Sequence, residues 1–168
     1  MRRAATRGLA IEALGRPDVD LERPESVRAA IAERRPQVVI NAAAYTAVDT
    51  AEDETERAFL INAGGAEAIA DAAARGGAQL IHVSTDYVFA GYKAAPYLEE
   101  DETGPRSVYG ASKLEGERLV RAAHPGAVIV RTAWVFDAAG ANFVRTMLRL
   151  AKSRAEVSVV GDQLGCPT

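Results

Sequence analysis

The chain has 168 residues, a net charge of −3 and a pI near 5.5. That length suits one domain with a real core, and the charge leaves no basic footprint for nucleic acid. No apolar run nears the ~18 residues of a membrane span, and the single cysteine, Cys166, excludes an internal disulfide and fits a reducing compartment such as the cytoplasm.

The opening MRRAATRGLAIEALG has a basic front, but Glu12 interrupts any signal-like apolar stretch. LAIEAL (9–14) predicts a short strand. Asp20, ahead of ERPES, reads as a helix N-terminal signal. RPESVRAAIAERR (23–35) predicts a helix, with Pro24 in its first turn and Val27, Ala30 and Ile31 on one face. QVVIN (37–41) is a buried strand. TERAFLINAGGAEAIADAAARG (55–76) is a long helical pattern that ends at Gly76 and Gly77 and is weakened at Asn62–Gly65. AQLIHVS (78–84) is a strand, SVYGASKLEGERLVRAA (107–123) a helix and AVIVRTAW (127–134) a strand. NFVRTMLRLAKS (142–153) is a helix and VSVVG (157–161) a last strand. His82 lies inside an apolar strand and His124 ends a helix, where a basic side chain suits the dipole. Neither reads as a metal ligand or a base. Cys166 reads as a small packing residue.

Strands alternating with helices imply an α/β, Rossmann-like, doubly wound parallel sheet covered on both faces. In such sheets ligands bind beyond the carboxyl ends of the strands. The informative residues follow strand ends: NAAAYTAVD (41–49), whose alanines leave room beside backbone, then STDYVFAG (84–91), then Thr132 and Trp134. The helix at 107–123 adds Tyr109 and Lys113, four apart and therefore on one helix face. A nearby ammonium favours an ionised phenol, so Lys113 is expected to lower the pKa of Tyr109 and fit it for proton exchange. The small residues between them would let a flat ligand lie against the helix.

The stretches NAAAYTAVDTAE, STDYVFAG, YGASKLEGE, RTAWVF, NFVRTMLRLAK and VVGDQLGCPT together resemble the dTDP-4-dehydrorhamnose reductase family of extended short-chain dehydrogenase/reductases. The resemblance implies reduction of a 4-keto dTDP-sugar with NADPH or NADH. By position it makes Tyr109 the proton donor and Lys113 the residue that tunes it and binds the nicotinamide ribose. Thr85 would orient the keto oxygen, and Asp86 and Trp134 would contact the sugar nucleotide. Ala44, Tyr45, Thr46 and Val83 would line the dinucleotide, with Asp20 and Leu21 on its adenine side. It implies no metal, no nucleic-acid or membrane partner, and allows a homodimer.

The family opens with a strand and a Gly-rich phosphate loop, and this chain is expected to lack both. It therefore reads as an incomplete dinucleotide-binding domain over 1–168, with a substrate-binding region starting near 157–168. With a central first strand missing, the strands at 9–14 and 37–41 are expected to face those at 78–84 and 127–131 across a gap, unless they slide together. Arg16 follows the strand at 9–14 where an NAD-selective fold places an acid, so NADPH is expected to serve at least as well as NADH. Two other readings stay open: a non-catalytic, dinucleotide-binding regulatory subunit of the same superfamily, and a related nucleotide-sugar epimerase or dehydratase.

Overall fold

The computed structural model describes residues 8–163 and 165–168. The basic opening, residues 1–7, and Leu164 lie outside the described residues. Helix α1 spans Pro24–Arg34, with Pro24 and Glu25 in its first turn and Arg34 in its last. It buries Val27, Ala30 and Ile31, the face its spacing predicts, and stops at Arg35 in the left-handed conformation just before Pro36. Strand β1 (Val38–Asn41) leads into a short helix, α2 (Val48–Asp53), that the periodicity does not announce. The long helical pattern is real but broken into α3 (Thr55–Phe59), a π-helical segment (Leu60–Gly65) and α4 (Ala66–Gly76). The π segment falls on Asn62–Gly65, where the helical pattern is weakest. Gly77, at φ 69, closes α4 in a conformation that favours glycine.

Strand β2 (Gln79–Thr85) runs into a 3-10 turn at Asp86–Val88. Helix α5 (Val108–Ala123) is capped by Ser107, whose hydroxyl accepts from the Gly110 N–H. Strand β3 (Val128–Thr132) follows, and then α6 (Phe143–Leu150), capped by Asn142.

The three strands form one parallel sheet in the order β1-β2-β3. Val38 opposes Gln79, Ile81 opposes Val128 and Thr85 opposes Thr132. Helices α4 and α5 pack on β2, and α1 packs on α4. Between them lies the core of Leu21, Val27, Ile31, Ile69, Leu80 and Val120.

Four expectations need correction. Residues 9–14 form no strand: Leu9, Ile11 and Leu14 are exposed, and Glu12 is tied to Arg34 of α1 at 2.9 Å. An isolated extended segment has no ladder partner for its N–H and C=O groups, so apolar content alone does not make it a strand. Residues 157–161 form no strand either, with Val157, Val159 and Val160 exposed. The expected gap is absent, because β1 and β2 are direct neighbours with four residues in register. Finally, among the described residues helices cover one face of the sheet and not both. Val38, Ile40, Val128 and Val130 are exposed on the opposite face, since every helix that packs on the sheet does so on the side of Leu80 and His82.

Helix α5 approaches its neighbours at backbone distance. A Cβ on Gly110 would sit 2.3 Å from the Tyr87 carbonyl oxygen, and one on Gly116 2.2 Å from that of Asn62. Of the small residues between Tyr109 and Lys113, Gly110 thus serves protein packing rather than a flat ligand.

Candidate active site

The carboxyl ends of β2 and β3 open into a cavity of about 850 Å³. Thr85, Asp86 and Tyr87 line it from the end of β2, Thr132 and Trp134 from the end of β3, and Tyr109 from the first turn of α5. Thr46 reaches it from the loop after β1, and Phe143 and Met147 from α6. Thr85 is buried because the 3-10 turn folds over it: its hydroxyl accepts from the Tyr87 N–H at 3.2 Å and donates to the Asp86 carboxylate at 3.2 Å. Tyr87 meets Tyr109 edge to face, with ring centroids 5.6 Å apart.

Lys113 lies one turn below Tyr109 and is 2% exposed. Its ammonium donates to the Val83 carbonyl at 2.8 Å, its one hydrogen bond among the described residues. An ammonium carries three N–H donors, so further acceptors can be served there. Burial lowers the Lys113 pKa to about 8, against the upward pull of Glu117. Burial raises the Tyr109 pKa above its ordinary value; the Thr85 hydroxyl opposes this and Asp86 adds to it. The expected lowering of Tyr109 by Lys113 is therefore corrected: desolvation of the phenolate prevails, and Lys113 directs its ammonium at a carbonyl.

Of the remaining sequence-predicted residues, Ala44 and Tyr45 lie on the same loop as Thr46. That loop is held by Asn62, whose side chain accepts from the Tyr45 N–H at 2.8 Å and donates to the Tyr45 carbonyl at 3.1 Å. Exposed Ala42 and Ala43 make a bare ledge beside it. Arg16, Asp20 and Leu21 do not line the cavity. Asp20 accepts from the Glu22 N–H at 3.1 Å and lies 3.7 Å from Arg23, but it does not cap α1, whose start at Arg23 has no side-chain cap. Leu21 is a core residue packed on Gly65. Arg16 is exposed, 3.9 Å from Glu22.

The two histidines hold structural places. His82 is buried, with Nδ1 3.0 Å from the Asn41 amide nitrogen. Asn41 Oδ1 already accepts from the Ala43 N–H, so the amide donates to Nδ1. Burial, with Lys113 nearby, lowers the His82 pKa to about 4. His124 donates from Nε2 to the Ala78 carbonyl at 2.9 Å. Cys166 is exposed, which corrects its reading as a packing residue. No group of three or more metal-ligating side chains occurs among the described residues, and no described helix is long and apolar enough to cross a membrane.

Sequence reasoning missed the supporting layer. Asn62 also donates to Ser112 of α5 at 2.9 Å, and Glu117 takes hydrogen bonds from Ser84 and Arg131. Two signals were available: Glu117 continues the four-residue spacing of Tyr109 and Lys113, and Asn62 is the one polar side chain in the glycine-weakened helical stretch.

The chain is 54% identical over 155 residues to the dTDP-4-dehydrorhamnose reductase of Sinorhizobium fredii, covering 92% of the chain and 52% of that relative. It is 51% identical over 149 residues to the Escherichia coli protein of the same name, covering 89% of the chain and 50% of the relative. A solved dTDP-4-dehydrorhamnose reductase from Clostridium acetobutylicum superposes with a TM-score of 0.92 at 42% identity, over 99% of the chain and 59% of the other. One from Bacillus anthracis, in complex with NADP, gives a TM-score of 0.91 at 43% identity, over 97% and 58%. The chain thus spans about half the length of the curated relatives it matches. The family model described as "RmlD substrate binding domain" matches residues 1–168, from end to end, and the chain belongs to that family.

Proposed function

We propose that a full-length protein carrying this segment reduces the 4-keto group of dTDP-4-dehydro-L-rhamnose to give dTDP-L-rhamnose, in the cytoplasm and at the expense of NADPH or NADH. The observation that carries this reading is the convergence of Thr85, Tyr109 and Trp134 on one cavity, with Lys113 buried directly beneath. The site suits a nicotinamide dinucleotide through the free donors of Lys113 and the alanine ledge before Ala44, Tyr45 and Thr46. Lys113 would hold the ribose, Val83 would line the ring, and Arg16, Asp20 and Leu21 would meet the adenosine end. When bound, the reduced nicotinamide supplies the hydride and leaves oxidised.

The chain's own residues do the rest. Tyr109 keeps its proton at neutral pH because burial disfavours the phenolate, so the acid is loaded when the keto sugar arrives. As hydride adds to the carbonyl carbon, the C=O π pair moves to oxygen and takes the Tyr109 proton. The phenolate left behind recovers a proton from solvent. The Thr85 hydroxyl, here donated to Asp86, turns to the same oxygen and stabilises the charge that grows there. Lys113 stays cationic below about pH 8 and keeps one of its donors on the Val83 carbonyl. Trp134 and Asp86 bound the sugar-nucleotide side, and residues 157–168 begin a region that contacts it.

The test is turnover of the 4-keto dTDP-sugar by the full-length protein, followed by loss of NADPH absorbance. Formation of dTDP-L-rhamnose is expected. Tight dinucleotide binding without any turnover would contradict the reading and favour a non-catalytic subunit.

A further inference from the structure

Glu117 is fully buried, yet no part of it lines the cavity. A buried carboxylate is costly unless paired and hydrogen-bonded, and this one is paired on both oxygens. Oε1 accepts from the Ser84 hydroxyl at 2.6 Å and from Arg131 Nε at 2.9 Å; Oε2 accepts from Arg131 Nη2 at 2.7 Å. Arg131 thus grips the carboxylate in the bidentate mode. Burial pushes the Glu117 carboxyl up, but the Arg131 and Ser84 hydrogen bonds prevail and hold it below the usual carboxylate range.

Ser84 itself lines the cavity, and Arg131 is adjacent in sequence to a cavity residue. Ser84 precedes Thr85, and Arg131 precedes Thr132, whose hydroxyl donates to the Ser84 carbonyl at 3.0 Å. Arg131 also donates to the Glu99 carbonyl at 3.2 Å and stacks over Phe89 at 4.8 Å. One carboxylate on α5 therefore ties together the ends of β2 and β3 and the loop after β2. Tyr109, Lys113 and Glu117 recur every four residues along one stripe of α5.

The charges around the stripe can be enumerated. From α5 itself come Lys113, Glu117 and, at 3.9 Å on the exposed side, Arg121. From β3 comes Arg131. From β2 comes His82, buried and neutral above about pH 4. From β1 and the π segment come the uncharged amides of Asn41 and Asn62. Glu117 is the one buried anion among these described groups, facing the buried Lys113 and the half-buried Arg131.

We propose that Glu117 is a positioning residue for this site: through Ser84 and Arg131 it fixes Thr85 and Thr132 relative to Tyr109, and its charge balances Lys113. The proposal rests on the reductase reading for its kinetic consequence. Removing the carboxylate leaves Arg131, which cannot lose its proton, so Lys113 is the group that gives up charge.

The test compares the full-length protein with Glu117→Gln, with Arg131→Met and with the double variant, each confirmed as folded by its melt. Lys113 is titrated directly by the carbon resonance of its Cε, assigned by its loss in Lys113→Arg. In Glu117→Gln the Lys113 midpoint should fall by about one pH unit or more. In Arg131→Met it should rise, and in the double variant it should return close to the starting value. The alkaline limb of the kcat/KM profile should move in the same directions, with a loss of about 10–100-fold at neutral pH for Glu117→Gln. A midpoint that stays put in Glu117→Gln, or that moves the same way in both single variants, overturns the proposal, because loosened packing alone has no reason to give opposite signs. Should Glu117→Gln not fold, Arg131→Met and the double variant, which leaves no lone buried charge in the pair, decide the matter. The titration needs no turnover, so an inactive wild-type protein would overturn the reductase reading alone.

Discussion

Tyr109 and Lys113 share a helix face, as their spacing predicts, but their chemistry follows from burial. Desolvation raises the phenol and lowers the ammonium, so the pair meets neutral pH as a protonated acid beside a cation. Burial has a second consequence at His82, whose folded pKa is about 4 against 6.5 when exposed. The unfolded chain takes up that proton first as pH falls. The stabilisation is full above about pH 6.5 and is lost by about pH 4, to the extent of about 3 kcal/mol. His82→Gln should therefore flatten the loss of stability between those values in denaturant melts; an unchanged slope would mean that His82 is not held neutral. The two tight glycines make a separate prediction. Gly116→Ala places a methyl on the Asn62 carbonyl and should cost about 1–3 kcal/mol, whereas Gly76→Ala, with open space around it, should not. Tyr109 and Lys113 were legible as a pair on one helix face because of their four-residue spacing, and Thr85 was picked out only through the family resemblance. Glu117 and Arg131 were not, since a charged residue in a strand or helix acquires meaning only when the fold turns it inward.

Among elements, the longer helices and the three sheet strands were legible, whereas α2 and the true state of the terminal segments were not. Helix α1 shows its buried face, its proline start and its stop before Pro36 in the sequence alone. The segments 9–14 and 157–161 have strand composition, but strand pairing is a property of neighbours that a local pattern does not contain. The π segment shows what a weakened helical pattern can mean. Its extra residue per turn turns Asn62 inward, where one amide serves Tyr45 and Ser112 together. Asn62→Leu removes all three hydrogen bonds and leaves the Tyr45 backbone unserved. It should lower dinucleotide affinity about tenfold or more in a fluorescence titration of the full-length protein; unaltered affinity would separate that loop from the cofactor. The end of β3 carries a comparable brace. Trp134 adopts φ 51, and a Cβ on Gly165 would sit 2.1 Å from its indole nitrogen. Ala133 and Thr168 exchange two hydrogen bonds beside it, at 2.8 and 2.9 Å. Trp134 is the sole tryptophan of the chain, so Gly165→Ala should change its emission maximum; an unmoved spectrum would show that the indole is not seated there.

For the molecule as a whole, the sheet edge and the two faces of the sheet have different fates. One face carries the core, while Val38, Ile40, Val128 and Val130 are bare on the other. Parallel sheets are ordinarily covered on both sides, and a contiguous apolar patch invites association. The 168-residue chain should therefore self-associate with rising concentration in sedimentation experiments, and Ile40→Lys with Val130→Lys should suppress this; a monomer at every concentration would contradict it. What the bare face does not touch is the cavity at the carboxyl ends, which Tyr109 and Thr85 line above the buried Lys113. The measurement that bears most directly on that convergence is the turnover of Tyr109→Phe in the full-length protein, with NADPH affinity measured alongside. The change keeps the ring against Tyr87 and removes only the proton. A fall in kcat of about 10²–10⁴-fold with NADPH affinity retained is the predicted result; near wild-type turnover would show that Tyr109 is not the proton donor.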